Sequence, residues 1–178
     1  MATAAAAAKS IEKKAGLAFW MQRVLEECDR TSLEFAPGPV HDLRVALRRC
    51  RSIADSLMSI DPHPAWKKMK KAGRQIFVIL GQLRDAQVME EWVSCLSKSD
   101  DPAPTTLLQF LAGRQAQFKQ EAAQALRAFD RGQWKRWGKL LPRRAARLQP
   151  GSAVFKHLAL ERWTQARELH RRAQEPGA

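Results

Sequence analysis

Apolar residues recur three and four positions apart along most of this chain, and Pro or Gly breaks the pattern at intervals. From about Ile11 to Leu33, the residues Leu17, Trp20, Met21, Val24, Leu25 and Cys28 follow this spacing and predict a first helix. Pro37-Gly38-Pro39 closes the next connection, and a second helix is expected from about Val40 to Ile60, with Val40, Leu43, Leu47, Cys50, Ala54 and Leu57 as its apolar stripe. Asp61-Pro62-His63-Pro64 reads as a turn, with Pro64 suited to a first helical turn. A third helix is expected from about Ala65 to Leu80, with Trp66, Met69, Gly73, Ile76 (or Phe77) and Leu80 inward. Gly81 to Leu83 either kinks the chain or leads straight into a fourth helix, Arg84 to Lys98.

Asp100 to Pro104 reads as the clearest loop, followed by a long helix from Thr105 to about Phe129 and a shorter one from Gln133 to Leu148. Pro150-Gly151 sets off a last helix, with Ser152 as N-cap, running to Ala173. No stretch alternates with period two long enough to make a strand. The expected fold is all-α, an antiparallel bundle of six to seven helices with a basic groove. Residues 1–8 are expected to be a flexible N-terminus and 9–174 one helical domain.

Composition supports helices: Ala, Leu, Arg, Gln and Lys dominate, Tyr is absent, and the 45% hydrophobic content suits a packed domain rather than a disordered basic tail. Charge changes the picture more. Lys and Arg number 31 against 18 Asp and Glu, a net of +13 in 178 residues. That balance points to an anionic partner: nucleic acid, an anionic membrane surface or polyphosphate. The three cysteines, Cys28, Cys50 and Cys95, lack metal-ligand spacing and read as free thiols in a reducing compartment. No run of apolar residues is long enough to span a bilayer, and MATAAAAAKS lacks the features of a secretion signal, so the expected location is cytoplasmic, with no membrane association.

The cations are not scattered. His41, Arg44, Arg48 and Arg51 recur at 3, 4 and 3 beside the apolar stripe of the second helix, and Arg49 lies further round towards solvent. Asp42 and Asp55 are the only acids on that helix, too few for a salt-bridged surface. Like charges at these spacings repel and cost helix stability unless an anion neutralises them. On the third helix Lys67, Lys70, Lys71 and Arg74 fall on a face neighbouring the stripe, with Lys68 elsewhere, and antiparallel packing would let both rows line one groove. Arg suits phosphate because its planar fork binds oxygens two at a time. Arg84 can extend the groove, and Asp85 can orient an Arg or the His by hydrogen bonding, or simply complement a helix dipole.

From Arg131 to Pro150 the chain carries seven cations and no acid, either a second contact surface or an exposed face. His41 has no companions at metal-ligand spacing, so a phosphate hydrogen bond or a pH-sensitive contact is its expected role and no metal is called for. There is no Gly-rich phosphate loop, H-E-x-x-H motif, clustered carboxylates for Mg²⁺ or activated nucleophile. No catalytic residue and no cofactor is expected, and an enzyme is the weakest class.

The runs HDLRVALRRCRS, WKKMKKAGRQ and LGQLRDAQV together resemble the CHAD domain, the conserved histidine α-helical domain, which pairs an H-x-x-R-V-x-x-R-R-x-R helix with a downstream L-G-x-x-R-D segment. The resemblance is best from Lys9 to Leu96. It implies a first repeat over about 9–100 with further helices over 105–174, a basic central channel, binding of inorganic polyphosphate and association with polyphosphate granules. It places His41, Arg44, Arg48, Arg49 and Arg51 on the motif helix and Arg84 and Asp85 on the second motif. The lysines match in character only. The family's second His-Arg helix has no counterpart: neither His157 with LALERWTQAR nor His170 with RRAQ reproduces it. This implies either a truncated half of a two-repeat domain or a homodimer that rebuilds the channel. The competing reading is a helical module that binds RNA or DNA through its backbone; against it, no aromatic residues interleave the basic row to stack bases.

Overall fold

The computed structural model describes residues 16–97, 102–147 and 153–174, which form six helices and no strand. They are α1 (Leu17–Glu34), α2 (Pro37–Leu57), α3 (Ala65–Leu96), α4 (Pro102–Ala128), α5 (Arg131–Ala145) and α6 (Ala153–Ala173). The Ser152 cap, the Ala-rich start and Asp100 and Asp101 of the expected loop lie outside the described residues.

Three boundaries differ from the expected ones for identifiable reasons. Pro37 and Pro39 do not end a connection; they stand in the first turn of α2, where a missing N–H costs nothing. Pro102 and Pro104 likewise belong to the first turn of α4. The third and fourth predicted helices are one continuous 32-residue helix through Gly81, about 48 Å long at 1.5 Å per residue.

The connection from α1 to α2 is short and fixed. Phe35 adopts the left-handed conformation at φ 51°, and its N–H donates to the Thr31 carbonyl at 3.0 Å. The Gln87 side-chain amide of α3 donates to the Phe35 carbonyl at 3.0 Å, and the Thr31 hydroxyl to the Pro39 carbonyl at 3.1 Å. These bonds offset the roughly 1–2 kcal/mol that left-handed backbone costs a non-glycine residue, and they set where α2 starts.

The core lies between α1, α2, α3 as far as Ala86, the second half of α4, and α5. All six predicted stripe residues of α2 are buried, with Ala46 added. Trp66 and Trp134 sit at the centre, and the Trp134 indole donates to the Met21 carbonyl at 2.9 Å. Gly73 lets this packing close up, since a Cβ there would stand 3.0 Å from a Leu47 methyl.

Asp61 clasps the bundle. One carboxylate oxygen accepts from the Trp66 indole at 2.9 Å and from Arg144 Nε at 2.7 Å, while the other accepts from Arg144 Nη2 at 2.6 Å. The helix α6 makes no extensive contact with any other element.

Candidate anion-binding face

Two contacts fix the register of α2 against α3. Asp55 pairs with Lys70, and the Arg44 guanidinium donates to the Phe77 carbonyl at 3.2 Å while lying 4.9 Å from the Phe77 ring centre. The helices are therefore antiparallel, with the Arg51 end of α2 beside Lys70 and Arg74 and the His41 end towards Arg84 and Asp85. Side chains spaced 3, 4 and 3 share one face of a helix, so packing α2 by its apolar stripe brings the neighbouring cationic row to the α3 edge.

Arg44 is the most constrained member of the row. It is half-buried, and its Nη1 lies where Gly81 would carry a Cβ; that Cβ would be closer to the guanidinium than real Cβ atoms come to other groups. A glycine in the middle of a helix costs about 1 kcal/mol relative to alanine, so its presence at 81 asks for a reason, and the guanidinium supplies one. Gly81 and Phe77 thus form a seat for Arg44, which links the His-Arg segment of α2 to the LGQLRD segment of α3. Burial pulls the Arg44 pKa below its ordinary value; Asp85 opposes that shift, and the nearby charges of Arg48 and Arg84 add to it. Asp85 itself is exposed and, among the described residues, makes no hydrogen bond or ion pair. Its effect on Arg44 is through space, not the hydrogen bond expected from sequence.

The nearby acids are already engaged. Asp42 faces Arg23 and Arg30 of α1 at 3.8 and 3.7 Å, and those arginines also neutralise the wholly buried Glu27 at 2.7 and 2.9 Å. Asp55 serves Lys70 and stands 4.0 Å from Arg51. Among the described residues, no acid lies within ion-pair distance of Arg44, Arg48, Arg74 or Arg84. These are cations held near one another without compensation, which costs folding free energy until an anion binds.

The expected groove is a shallow furrow. Between α2 and α3, Arg51, Lys70 and Arg74 line a cleft with Leu47, Met69, Gly73, Phe77 and Trp134, and it holds only about 10 Å³ of free space. That is about the room of one water molecule, too little for a phosphate group to enter.

The structure divides the sequence-predicted residues into two groups. His41, Arg44, Arg48, Arg51, Lys70, Arg74 and Arg84 belong to the α2–α3 face, with His41, Arg48 and Arg51 exposed and Lys67 exposed one turn before Lys70. Arg49 and Lys71 do not. Arg49 turns to the α1 flank, its guanidinium 5.7 Å from the Trp20 ring centre. Lys71 joins Lys68, His63, Gln75, Gln133 and Trp137 around a separate cavity of about 740 Å³ between α3 and α5. The run from Arg131 to Pro150 is partly structural: Arg144 is held by Asp61, and Arg131 by Asp29 and the Leu25 carbonyl.

Among the described residues, no three His, Cys, Asp or Glu side chains cluster as metal ligands, and no helix is long and apolar enough to cross a membrane. The spacing assigns Gly81 and Phe77 no part in seating Arg44, although an isolated glycine inside a helical pattern is a visible signal of close approach.

The family model of the CHAD domain matches residues 21–178. No curated protein and no solved structure matches the chain.

Proposed function

The chain belongs to the CHAD domain family, and we propose on that premise that it binds inorganic polyphosphate, without catalysis, along the α2–α3 face. The family is associated with polyphosphate binding. The observation that carries the reading is the row Arg44, Arg48 and Arg51 set beside Arg74 and Arg84, with no acid among the described residues within ion-pair distance of Arg44, Arg48, Arg74 or Arg84. Polyphosphate presents regularly spaced charges and no bases. A line of guanidinium forks matches that chemistry, and the furrow offers no aromatic platform open to a base. Recruitment to polyphosphate granules follows from the same affinity.

Binding of this kind draws its strength from many phosphate contacts and weakens steeply with salt, by analogy with nucleic acids. The test is a salt-dependent titration of polyphosphate, single-stranded RNA and duplex DNA against the wild type and Arg44→Ala/Arg48→Ala. Removing two contacts should weaken polyphosphate binding at least tenfold and make the log–log salt slope shallower by roughly 1.5 to 2. Unchanged affinity in the variant removes the site assignment, and RNA binding as tight as polyphosphate at physiological salt turns the reading to a nucleic-acid module.

Catalysis would need a group that attacks phosphorus or activates water, whereas the face supplies cations that hold the ground state. Release of orthophosphate from polyphosphate with added Mg²⁺ overturns the non-catalytic part.

A further inference from the structure

The helix α3 outruns the bundle that holds it. It has 32 residues against 21 in α2, an excess of about 16 Å. Beyond Gln87 no described residue of α3 is fully buried, and none of α4 is before Leu111. Residues 88–97 and 102–110 therefore form a two-helix arm. Its apolar side chains are exposed: Trp92 is 66%, Leu96 79% and Phe110 62% accessible, with Met89 at 51% and Leu107 at 38%. Met89, Trp92 and Leu96 fall on one stripe of α3, and with Leu107 of α4 they border an open groove of about 640 Å³.

We infer that this arm is a dimerisation surface whose occupant is the arm of a second copy of the chain. At about 200 Å² for a large side chain, the five residues expose about 600 Å² of apolar surface, at the upper limit for a free monomer. With a polar rim that area reaches the roughly 800 Å² per partner of a stable dimer. Two helices with their apolar stripes on one side are half of a four-helix bundle. A second identical half, related by a two-fold axis, completes it with matched length and pattern.

Meeting arm to arm also keeps the strongly basic bodies of two copies apart, since the chain carries a net charge of +13 and body-to-body contact would oppose like charges. The stripe of α6 does not fit the role as well. Leu160 and Leu169 stand nine residues apart at opposite edges of a groove otherwise lined by Glu161, Thr164, Gln165, Glu168 and Arg172, so they form no continuous apolar stripe.

Sedimentation velocity of the full chain, at moderate and at high salt, tests this. The wild type should run as a dimer of the 20.1 kDa chain at tens of micromolar, and should persist in high salt because the interface is apolar. Trp92→Glu/Leu96→Glu should weaken the dimer at least 100-fold and leave helicity unchanged, since both side chains are exposed in the single chain, and it should melt like wild type diluted to the monomer. Leu160→Glu/Trp163→Glu on α6 should leave the dimer intact. A wild type that stays monomeric at about 100 µM, well above the Kd of a standard interface, overturns the inference. So does a Trp92→Glu/Leu96→Glu protein that stays dimeric, or an α6 variant that becomes the monomer. Polyphosphate titration of the arm variant reads the α2–α3 face separately, so failure of one proposal is distinguishable from failure of the other.

Discussion

Replacing Gly81 with alanine should leave the fold as stable as before and yet weaken anion binding. Two opposing effects act on stability. Alanine in the middle of α3 gains about 1 kcal/mol of helix propensity. Its Cβ would occupy the place of Arg44 Nη1 and also stand 3.5 Å from Arg44 Cζ. The atom in the way is the end of a flexible side chain, so the guanidinium swings aside while the backbone stays. That movement gives up the bond to the Phe77 carbonyl at 3.2 Å and the ring contact at 4.9 Å, together worth about 1–2 kcal/mol at a half-buried site. The two effects nearly cancel, and the melting temperature should stay within a few degrees.

Binding has no such compensation. A freed arginine must be ordered again when phosphate arrives, which costs up to about 1.5–2 kcal/mol of side-chain entropy. Because Arg44 is only half-buried to begin with, the expected loss is about three- to tenfold in Kd. The assay is a polyphosphate titration at fixed ionic strength in a double-mutant cycle with Arg44→Ala. Gly81→Ala should do almost nothing once Arg44 is gone. Equal weakening in both backgrounds, or a collapse of the melting temperature, refutes the idea that Gly81 acts by seating Arg44.

Two further outcomes concern the core. Hydrogen bonds from Arg144 hold the Asp61 carboxyl well below the usual carboxylate range, with the Trp66 indole adding to the effect against burial. A depressed pKa contributes stability that is fully present above the unfolded carboxylate value of about 4 and is lost as pH falls below it; thermal melts from pH 7 to pH 2 should show that loss, and Asp61→Ala should blunt it. The same substitution leaves the wholly buried Trp66 N–H without an acceptor, costing about 1–3 kcal/mol, and an unchanged neutral-pH melt would contradict the clasp. Burial pushes the Cys28 and Cys50 thiols up to about 12, so at pH 8 no more than one thiol per native chain, the exposed Cys95, should react with a disulfide reagent, against three after unfolding; rapid reaction of a second thiol would show that the α1–α2 core opens.

The helices were readable because each carries its own record of burial. The 3-4 spacing of Val40, Leu43, Leu47, Cys50, Ala54 and Leu57 reports which side of α2 meets the core, whatever packs there, and all six are buried. On α3, Trp66, Met69, Gly73, Ile76 and Leu80 are buried for the same reason, whereas Phe77, the alternative inward residue, is half-buried under Arg44. What spacing does not record is the partner on each flank. Arg49 follows Arg48 directly, and only the position of α1, with Trp20 at its edge, turns it from the row. Lys71 follows Lys70 in the same way and faces the α5 side because α5 packs on that flank of α3. The acids show the same limit: Asp42 stands beside His41 in sequence, but its countercharges are Arg23 and Arg30 on the preceding helix. Residue type and period define the face, while nonlocal packing decides its membership.

Membership of the face bears on what kind of ligand it can use. The furrow is too narrow to enclose a phosphate, so any anion there is met by protein on one side and water on the other. Exposed contacts of that sort are screened and individually weak, about 1 kcal/mol or less each. A single orthophosphate or a short oligophosphate touches too few cations to overcome the cost of association. A long chain can lie across Arg84, Arg44, Arg48, Arg74 and Arg51 in turn, and only the first of its contacts bears that cost in full. Arg44, seated on Gly81 and Phe77, fixes one point of the path, and the exposed Arg48 and Arg51 adjust to the spacing of the rest. On the proposed function, length rather than the chemistry of any one phosphate is therefore what this surface should measure.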